Sequence, residues 1–400
     1  MKICMIAKYP PIEGGESSKA YWLARGLGRR GHEVHVVTNA WEVEEEYREQ
    51  LSDYDLKYKY QPPGVYVHNT SSTEEMRHIP YSKSYIAKLA GLAIDVIRKF
   101  DLQVIDSRYI LPYAVSGFLA KDATGKPQIM HHAVSDINRL LKIPHLRTLF
   151  VSIFNRVDKI VTFPGAEKQF LNSGVSKSKL SYNKISIDTE AFNPKVKALD
   201  LSEYGNRNFG ELPVITYAGK MGANKGVYEL IKAARGVRKD FLLLFVTGGR
   251  GTEKFKQQIL RLKLKQKAIF INFLPPWKIP SVIKRSACVV LLERGFPHSH
   301  HVPLLAREAM SVGKCLLLSN ELYNKKCFWY IFSGINAVVT DPKKTSTLTG
   351  VLNKIIEEPS FAERIGRNAR VISNRIEKFN EYVDNTVRLY EEVLQKYKRR

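Results

Sequence analysis

Two stretches of this chain, about half its length apart, share a pattern that few folds can satisfy: a short apolar strand, a glycine-bearing turn, then a helix. The first is Lys2 to Ala7 (KICMIA), followed by the loop YPPIEGG and a helix with Ala20, Leu23, Ala24 and Leu27 on one face. Ser17 is the expected cap of that helix and Gly31 its stop, and EVHVVT, Glu33 to Thr38, supplies the next strand. The second is Pro213 to Gly226, PVITYAGKMGANKG. Each opens a βαβ unit, so the chain is read as α/β with two Rossmann-like domains built on parallel sheets. In such sheets ligands sit outside the carboxyl ends of the strands.

The second stretch also outlines a phosphate site. Val214, Ile215, Tyr217 and Ala218 suit a buried parallel strand, and Gly219, Gly222 and Gly226 let backbone approach a ligand. Lys220 and Lys225 place two ammonium groups beside a helix N-terminus, which favours an anionic, diphosphate-like ligand. The alternative is an ordinary strand-to-helix turn with solvated lysines.

Four hundred residues exceed the usual size of one open core, which favours two domains. The net charge of +24, from 63 Lys plus Arg against 39 Asp plus Glu, favours polyanionic partners, whether nucleotide diphosphates, anionic membrane or nucleic acid. Cys4, Cys288, Cys315 and Cys327 are scattered without metal-ligand spacing. Buried thiols in a reducing cytoplasm are therefore expected, with no metal site. No apolar run is long enough to span a bilayer, so any membrane contact is expected to be peripheral.

Further along, Trp41 to Tyr60 lacks a strict period, and Asp53 and Asp55 form a DxD that is read as surface because no apolar strand delivers it. Ser82 to Phe100 has a helical pattern, and Leu102 to Ile105 reads as a strand. After a helix from Leu111 to Ala120, the strand Gln128 to Met130 ends in His131 and His132. A histidine there is placed to act as acid, base or hydrogen-bond donor, and alternation along the strand implies that one of the two packs instead. Ile137 to Phe154, with Arg139, Lys142 and Arg147, is read as a helix pair buried on one face, a membrane-surface stretch being the alternative. Lys184 to Pro194 reads as strand, turn and exit from the first domain.

In the second half, the strand Phe241 to Thr247 ends in Gly248, Gly249, Arg250 and Gly251, where Arg250 can reach phosphate. Cys288 to Leu292 is a strand delivering ERGFPHSHH, and the following helix carries Glu308, whose carboxylate can accept hydrogen bonds from ribose hydroxyls. The other reading of Glu308 is a solvated side chain. The final helix packs through Val383, Val387, Tyr390 and Leu394 and ends in a basic, frayed tail.

Several of these segments, in order, resemble the family-four glycosyltransferases of the GT-B fold: YPPIEGGESSKAYWLARGLGRRGHEVHVVT, ISIDTEAFNP, YAGKMGANKG, FVTGGRG, PPWKIPSVIKRSACVVLLERGFP and REAMSVGKCLLLSN. The resemblance covers almost the whole chain. It implies two Rossmann-like domains facing across a cleft: an acceptor domain over 1–194, a linker over 195–212, a nucleotide-sugar domain over 213–375, and a helix over 376–400 crossing back to the first domain. It also implies retaining transfer without an obligatory metal or other cofactor.

Carried over by position, Lys220, where the family usually has Arg, and Lys225 resemble the pair that grips the donor diphosphate. Gly14 and Gly15 match the loop whose backbone approaches the phosphates and acceptor. Glu308 matches the second Glu of the Glu, seven residues, Glu motif, and His131 or His132 resembles the histidine near the transferred sugar. His300 stands where the first motif Glu belongs, Glu293 lies further upstream, and Asp106 occupies a strand end where relatives often have His.

The expected activity is transfer of a sugar from a nucleoside-diphosphate donor, UDP or GDP, to an acceptor hydroxyl. Lys220, Lys225 and the helix N-terminus would stabilise the negative charge of the leaving group. A lipid-linked or polysaccharide acceptor fits the basic surface, as does peripheral contact with anionic membrane at the inner face of the cell. Nucleic acid is the less favoured partner. An epimerase or hydrolase of the same fold, and an inactive relative that binds membrane or nucleic acid, are the alternatives.

Overall fold

A computed structural model describes residues 1–72, 84–133, 137, 139–204, 209–295 and 303–399. The chain divides into two compact units, Met1–Ser186 with Phe379–Arg400, and Ile187–Lys378.

Among the described residues, the first unit holds seven strands: β1 (Lys2–Ala7), β2 (Glu33–Thr38), β3 (Val65–Asn69), β4 (Val104–Arg108), β5 (Gln128–His131), β6 (Lys159–Thr162) and β7 (Leu180–Tyr182). They pair in parallel in the order β3-β2-β1-β4-β5-β6-β7. The order reverses between β1 and β4, so loops leaving those two strands diverge and open a crevice at their carboxyl ends.

The second unit repeats the plan with β8 (Val214–Ala218), β9 (Leu242–Val246), β10 (Ala268–Ile271), β11 (Cys288–Leu291), β12 (Cys315–Ser319) and β13 (Val338–Thr340), in the order β10-β9-β8-β11-β12-β13. Its switch point lies between β8 and β11, where Cys288 pairs with Ile215 and Val289 with Thr216. β9 reads LLLFV and is buried throughout. Leu243 and Phe245 join one core with Ile215 and Tyr217, while Leu242, Leu244 and Val246 join another with Val214. Alternate residues thus serve cores on opposite faces, as expected for a sheet covered on both sides.

Several local expectations are corrected. The first helix is Gly15–Gly28 with Gly14 at its N-cap, so Ser17 is a buried residue inside the helix rather than its cap. The Trp41 to Tyr60 stretch contains the short helix Asp53–Tyr58, where Asp55 is buried because it closes a capping box: it accepts from Ser52 N at 3.0 Å and Ser52 Oγ at 2.7 Å. The DxD is therefore half cap and half exposed, not a pair of surface carboxylates. β4 runs to Arg108 instead of stopping at Ile105. Lys184 to Pro194 forms no strand; the last strand of the first sheet comes earlier, at Leu180–Tyr182.

The helix Pro359–Ile376, which the sequence reading passed over, buries Ala362, Ile365, Gly366, Ala369 and Ser373. The last helix stays regular through Lys398 rather than fraying at the basic tail. That helix, Phe379–Lys398, belongs to the first unit. Val383 is buried there, and a Cβ added to Gly26 would come within 2.8 Å of Val383 Cγ2. Asn183 Nδ2 donates to Tyr382 O at 3.1 Å and Thr386 Oγ1 at 2.8 Å.

Candidate active site

In the second unit, adjacency of β8 and β11 brings their trailing loops together. Gly226 makes the approach possible. Its φ is +69°, and a Cβ there would stand 2.1 Å from Leu292 O and 2.5 Å from Leu292 Cβ, so only glycine fits. One residue to either side, Lys225 Nζ donates to Oε1 of buried Glu293. Lys220 is exposed on the same loop, and its carbonyl accepts from Tyr217 Oη at 2.5 Å. Gly219 has φ +144° and donates its N–H to Val246 O at 3.0 Å, which ties this turn to the carboxyl end of β9. From there Gly248 is buried and Arg250 exposed, just before the helix Thr252–Arg261. Lys220 and Arg250 are thus exposed at these two loops, and Lys225 between them in sequence is paired with a buried carboxylate.

Glu308 lies on the helix Leu304–Val312 and is buried, which overturns the solvated alternative. Burial pushes its carboxyl up to about 8; Arg307 opposes the shift and Glu377 adds to it. Burial outweighs Arg307, whose guanidinium forks onto Glu377, with Nε 2.6 Å from Oε1 and Nη2 2.5 Å from Oε2. Near neutral pH Glu308 is thus mostly protonated, able to donate as well as accept a hydrogen bond. His300 lies outside the described residues.

In the first unit, register sets the site. Ala7 pairs with Arg108 across β1 and β4, and Arg108 pairs with His131 across β4 and β5. Asp106, wholly buried, accepts from Arg108 Nε at 3.3 Å and Nη2 at 3.0 Å, and from Tyr390 Oη of the last helix. Its Oδ1 lies 3.0 Å from His131 Nε2. Burial works to raise the Asp106 carboxyl, but Arg108 and His131 outweigh it and hold the group well below the usual carboxylate range. His131 is held below the usual histidine value by burial first and by Arg108 second.

His132 points the other way. Its ring packs on Phe163 and Phe170, its Nε2 lies 2.8 Å from Thr162 Oγ1, and burial lowers it to about 4. Gly14, with φ +116°, leaves room for Lys8: a Cβ there would sit 3.2 Å from Lys8 Nζ. Gly15 begins the helix beside it.

Comparison with known proteins decides the family. Residues 205–372 match the profile described as Glycosyl transferases group 1, and residues 14–190 match Glycosyltransferase Family 4. The chain belongs to the family-four glycosyltransferases. Among relatives, an uncharacterized glycosyltransferase of Methanocaldococcus jannaschii is 23% identical over 394 residues, covering 92% of this chain and 93% of its own. Sucrose-phosphate synthase from Thermosynechococcus elongatus has the same fold, with a TM-score of 0.69 at 15% identity over 98% of this chain and 99% of its own. Anabaena HepE, solved in complex with UDP and glucose, superposes with a TM-score of 0.68 at 17% identity over 98% and 99%.

Within this glycosyltransferase the structure adds residues that the sequence reading missed. Glu293, further upstream than the motif position, is the partner of Lys225. Arg108 and Tyr390 were not singled out as site residues. Arg108 carried a legible signal, since it follows Asp106 by two positions and so shares its face of β4. Nothing local marks Tyr390, whose partner is Asp106, 284 residues away.

Proposed function

We propose that this glycosyltransferase moves a sugar from a nucleoside-diphosphate donor to an acceptor hydroxyl with retention of anomeric configuration. The reading is carried by the Lys225–Glu293 pair at the β8/β11 switch point, where an ammonium is held beside an exposed Lys220 and a helix N-terminus. Loss of the leaving group builds negative charge on the diphosphate and cationic character on the sugar. Lys220, Lys225 and Arg250 face the first of these, and one preorganised donor of this kind is worth about 2.7–4 kcal/mol in comparable sites. Glu308 takes the ribose hydroxyls, and in the first unit Gly14, Gly15 and His131 are the positions that the family resemblance assigns to the phosphates and acceptor and to the transferred sugar. The neighbour solved with UDP makes a uridine donor the first to try.

For the acceptor, the helix Pro144–Arg156 supports a lipid-linked substrate. It buries Phe150, Ile153 and Phe154 but leaves Leu149 48% exposed, with Ile143 just before it 38% exposed among exposed Lys142, His145 and Arg147. Exposed apolar residues interspersed with Lys142 and Arg147 suit an anionic bilayer. Among the described residues no helix is long and apolar enough to cross one.

A panel of nucleotide sugars in a thermal-shift assay tests the donor. A UDP- or GDP-sugar should raise the melting temperature, Lys225→Ala should abolish the rise, and Asp53→Ala should leave it intact. Product anomers read by NMR, with and without acceptor, separate retaining transfer from hydrolysis or epimerisation. A panel in which no nucleotide sugar shifts the wild-type protein sinks the proposal.

A further inference from the structure

The carboxylate of Asp106 is held from three directions, and the distribution of donors over its two oxygens is unequal. Oδ2 accepts from Arg108 Nε and Nη2, at 3.3 and 3.0 Å, and from the phenol of Tyr390. Oδ1 is turned toward His131 Nε2, 3.0 Å away. Asp106 and Tyr390 are wholly buried and Arg108 nearly so. With Oδ2 committed to two side chains from different elements, the carboxylate cannot turn without breaking buried charge-assisted bonds, which fixes the direction of Oδ1.

An ionised carboxylate only accepts, and buried Oδ1 has no hydrogen bond from any other group among the described residues, so the tautomer that would satisfy it carries hydrogen on Nε2. Arg108 Nη2 lies 3.4 Å from the same nitrogen and would use it as an acceptor in the opposite tautomer, but Arg108 already donates to Asp106 Oδ2 through Nε and Nη2, whereas Oδ1 would be left with no donor. The Arg108 cation disfavours a second proton on the ring. The tautomer with hydrogen on Nε2 leaves Nδ1 as the acceptor.

We infer that Tyr390 is a positioning residue for His131, acting through Asp106: the last helix delivers a phenol that sets the carboxylate, and the carboxylate sets which ring nitrogen bears the proton. The inference deepens the transferase reading and rests on it for the role of His131 toward the sugar. Seating of Phe379–Lys398 and readiness of the β5 histidine are thereby one event, although 259 positions separate His131 from Tyr390 along the chain. The helix has other anchors, including Arg30 Nε to Asp384 Oδ1 at 2.6 Å and Lys159 Nζ to Glu392 Oε1 at 3.1 Å. Removing one hydroxyl therefore leaves it seated. The groups facing this cluster are Asp106 and Arg108 on β4, Tyr382 and Tyr390 on the last helix, Glu16 on the first helix, Cys4 on β1 and His132 next along β5.

Long-range proton–nitrogen NMR of the full-length protein, with His131→Gln to assign the signals, reads the tautomer and the titration directly. The wild type should show hydrogen on Nε2. In Tyr390→Phe the carboxylate loses a donor, its charge is less offset, and the His131 midpoint should rise by roughly half a unit or more. The acid limb of the transfer pH profile should move with it. Hydrogen on Nδ1 in the wild type, or an unmoved midpoint in Tyr390→Phe with only a lower melting temperature, overturns the inference and leaves Tyr390 a plain anchor. If Tyr390→Phe fails to fold, Asp106→Asn decides: with Arg108 unopposed the midpoint should fall, and no fall overturns the coupling. The spectra need no substrate, so a protein that turns over no nucleotide sugar defeats the transferase reading alone.

Discussion

Lys225 and Glu293 are joined by an ion pair in which the glutamate side chain is 3% exposed and the lysine side chain 23% exposed. The acid is sunk in the unit and the base is the more exposed partner, so in the proposed donor site a diphosphate would have to share the lysine with Glu293. The pair exists because β8 and β11 are neighbours and because Gly226 lets the β8 loop rest against Leu292.

Glu293→Gln keeps the shape of the site and removes its negative charge. Affinity for free UDP should rise several-fold, an effect of about 1 kcal/mol for a partly exposed pair. Calorimetric titration of wild type and variant checks this. Weaker binding in the variant would mean that Glu293 holds Lys225 in its working position rather than competing for it.

Gly226→Ala forces a side chain into a left-handed backbone and into Leu292. Strain of about 1–3 kcal/mol and overpacking of similar size should together cost about 3 kcal/mol or more. The melting transition should drop by roughly 5–10 °C, and UDP binding should weaken because Lys225 moves with its neighbour. A variant as stable as the wild type would refute the close approach.

Glu308 predicts a slope of stability with pH. Its folded carboxyl is pushed up to about 8 from an ordinary 4.5, by burial first. Between those values the unfolded chain has released the proton and the folded chain still holds it, so stability declines as pH rises through that window and levels off above it. The contribution is on the order of a few kcal/mol. Glu308→Gln should flatten the decline in melting temperature from about pH 5 to 9, and an unchanged profile would show that Glu308 does not titrate there.

Leu149→Glu places a charge in the exposed apolar part of the Pro144–Arg156 helix. Co-sedimentation with phosphatidylglycerol-rich vesicles at low salt should fall markedly in the variant, and binding of the wild type should fade as salt screens the basic surface. Equal retention of both proteins would remove this helix from the membrane contact.

How much of this could be read from the chain follows from how far each contact reaches. The βαβ openings, the lysines of the β8 loop and the glycines around them are local signals, because strand pattern and turn chemistry act over a few residues. The opposite roles of His131 and His132 were legible as a principle, since neighbours on a strand face opposite sides, but not as an assignment. Asp55 is not the surface carboxylate that its polar surroundings imply, because Ser52 three residues before it closes a helix cap with it. Glu308 was left between solvated and functional because its burial depends on what covers its helix.

By itself, then, the sequence determined two parallel α/β units and the stretches that end at their ligand-binding edges, because apolar periodicity and glycine placement act within each segment. Only the tertiary structure decided who meets whom there. Lys225 finds Glu293 across 68 positions and Asp106 finds Tyr390 across 284, since strand order and the return of the last helix to the first unit bring distant residues to one place. Once buried there, Asp106 and Tyr390 take protonation states that their neighbours impose and that no local stretch encodes.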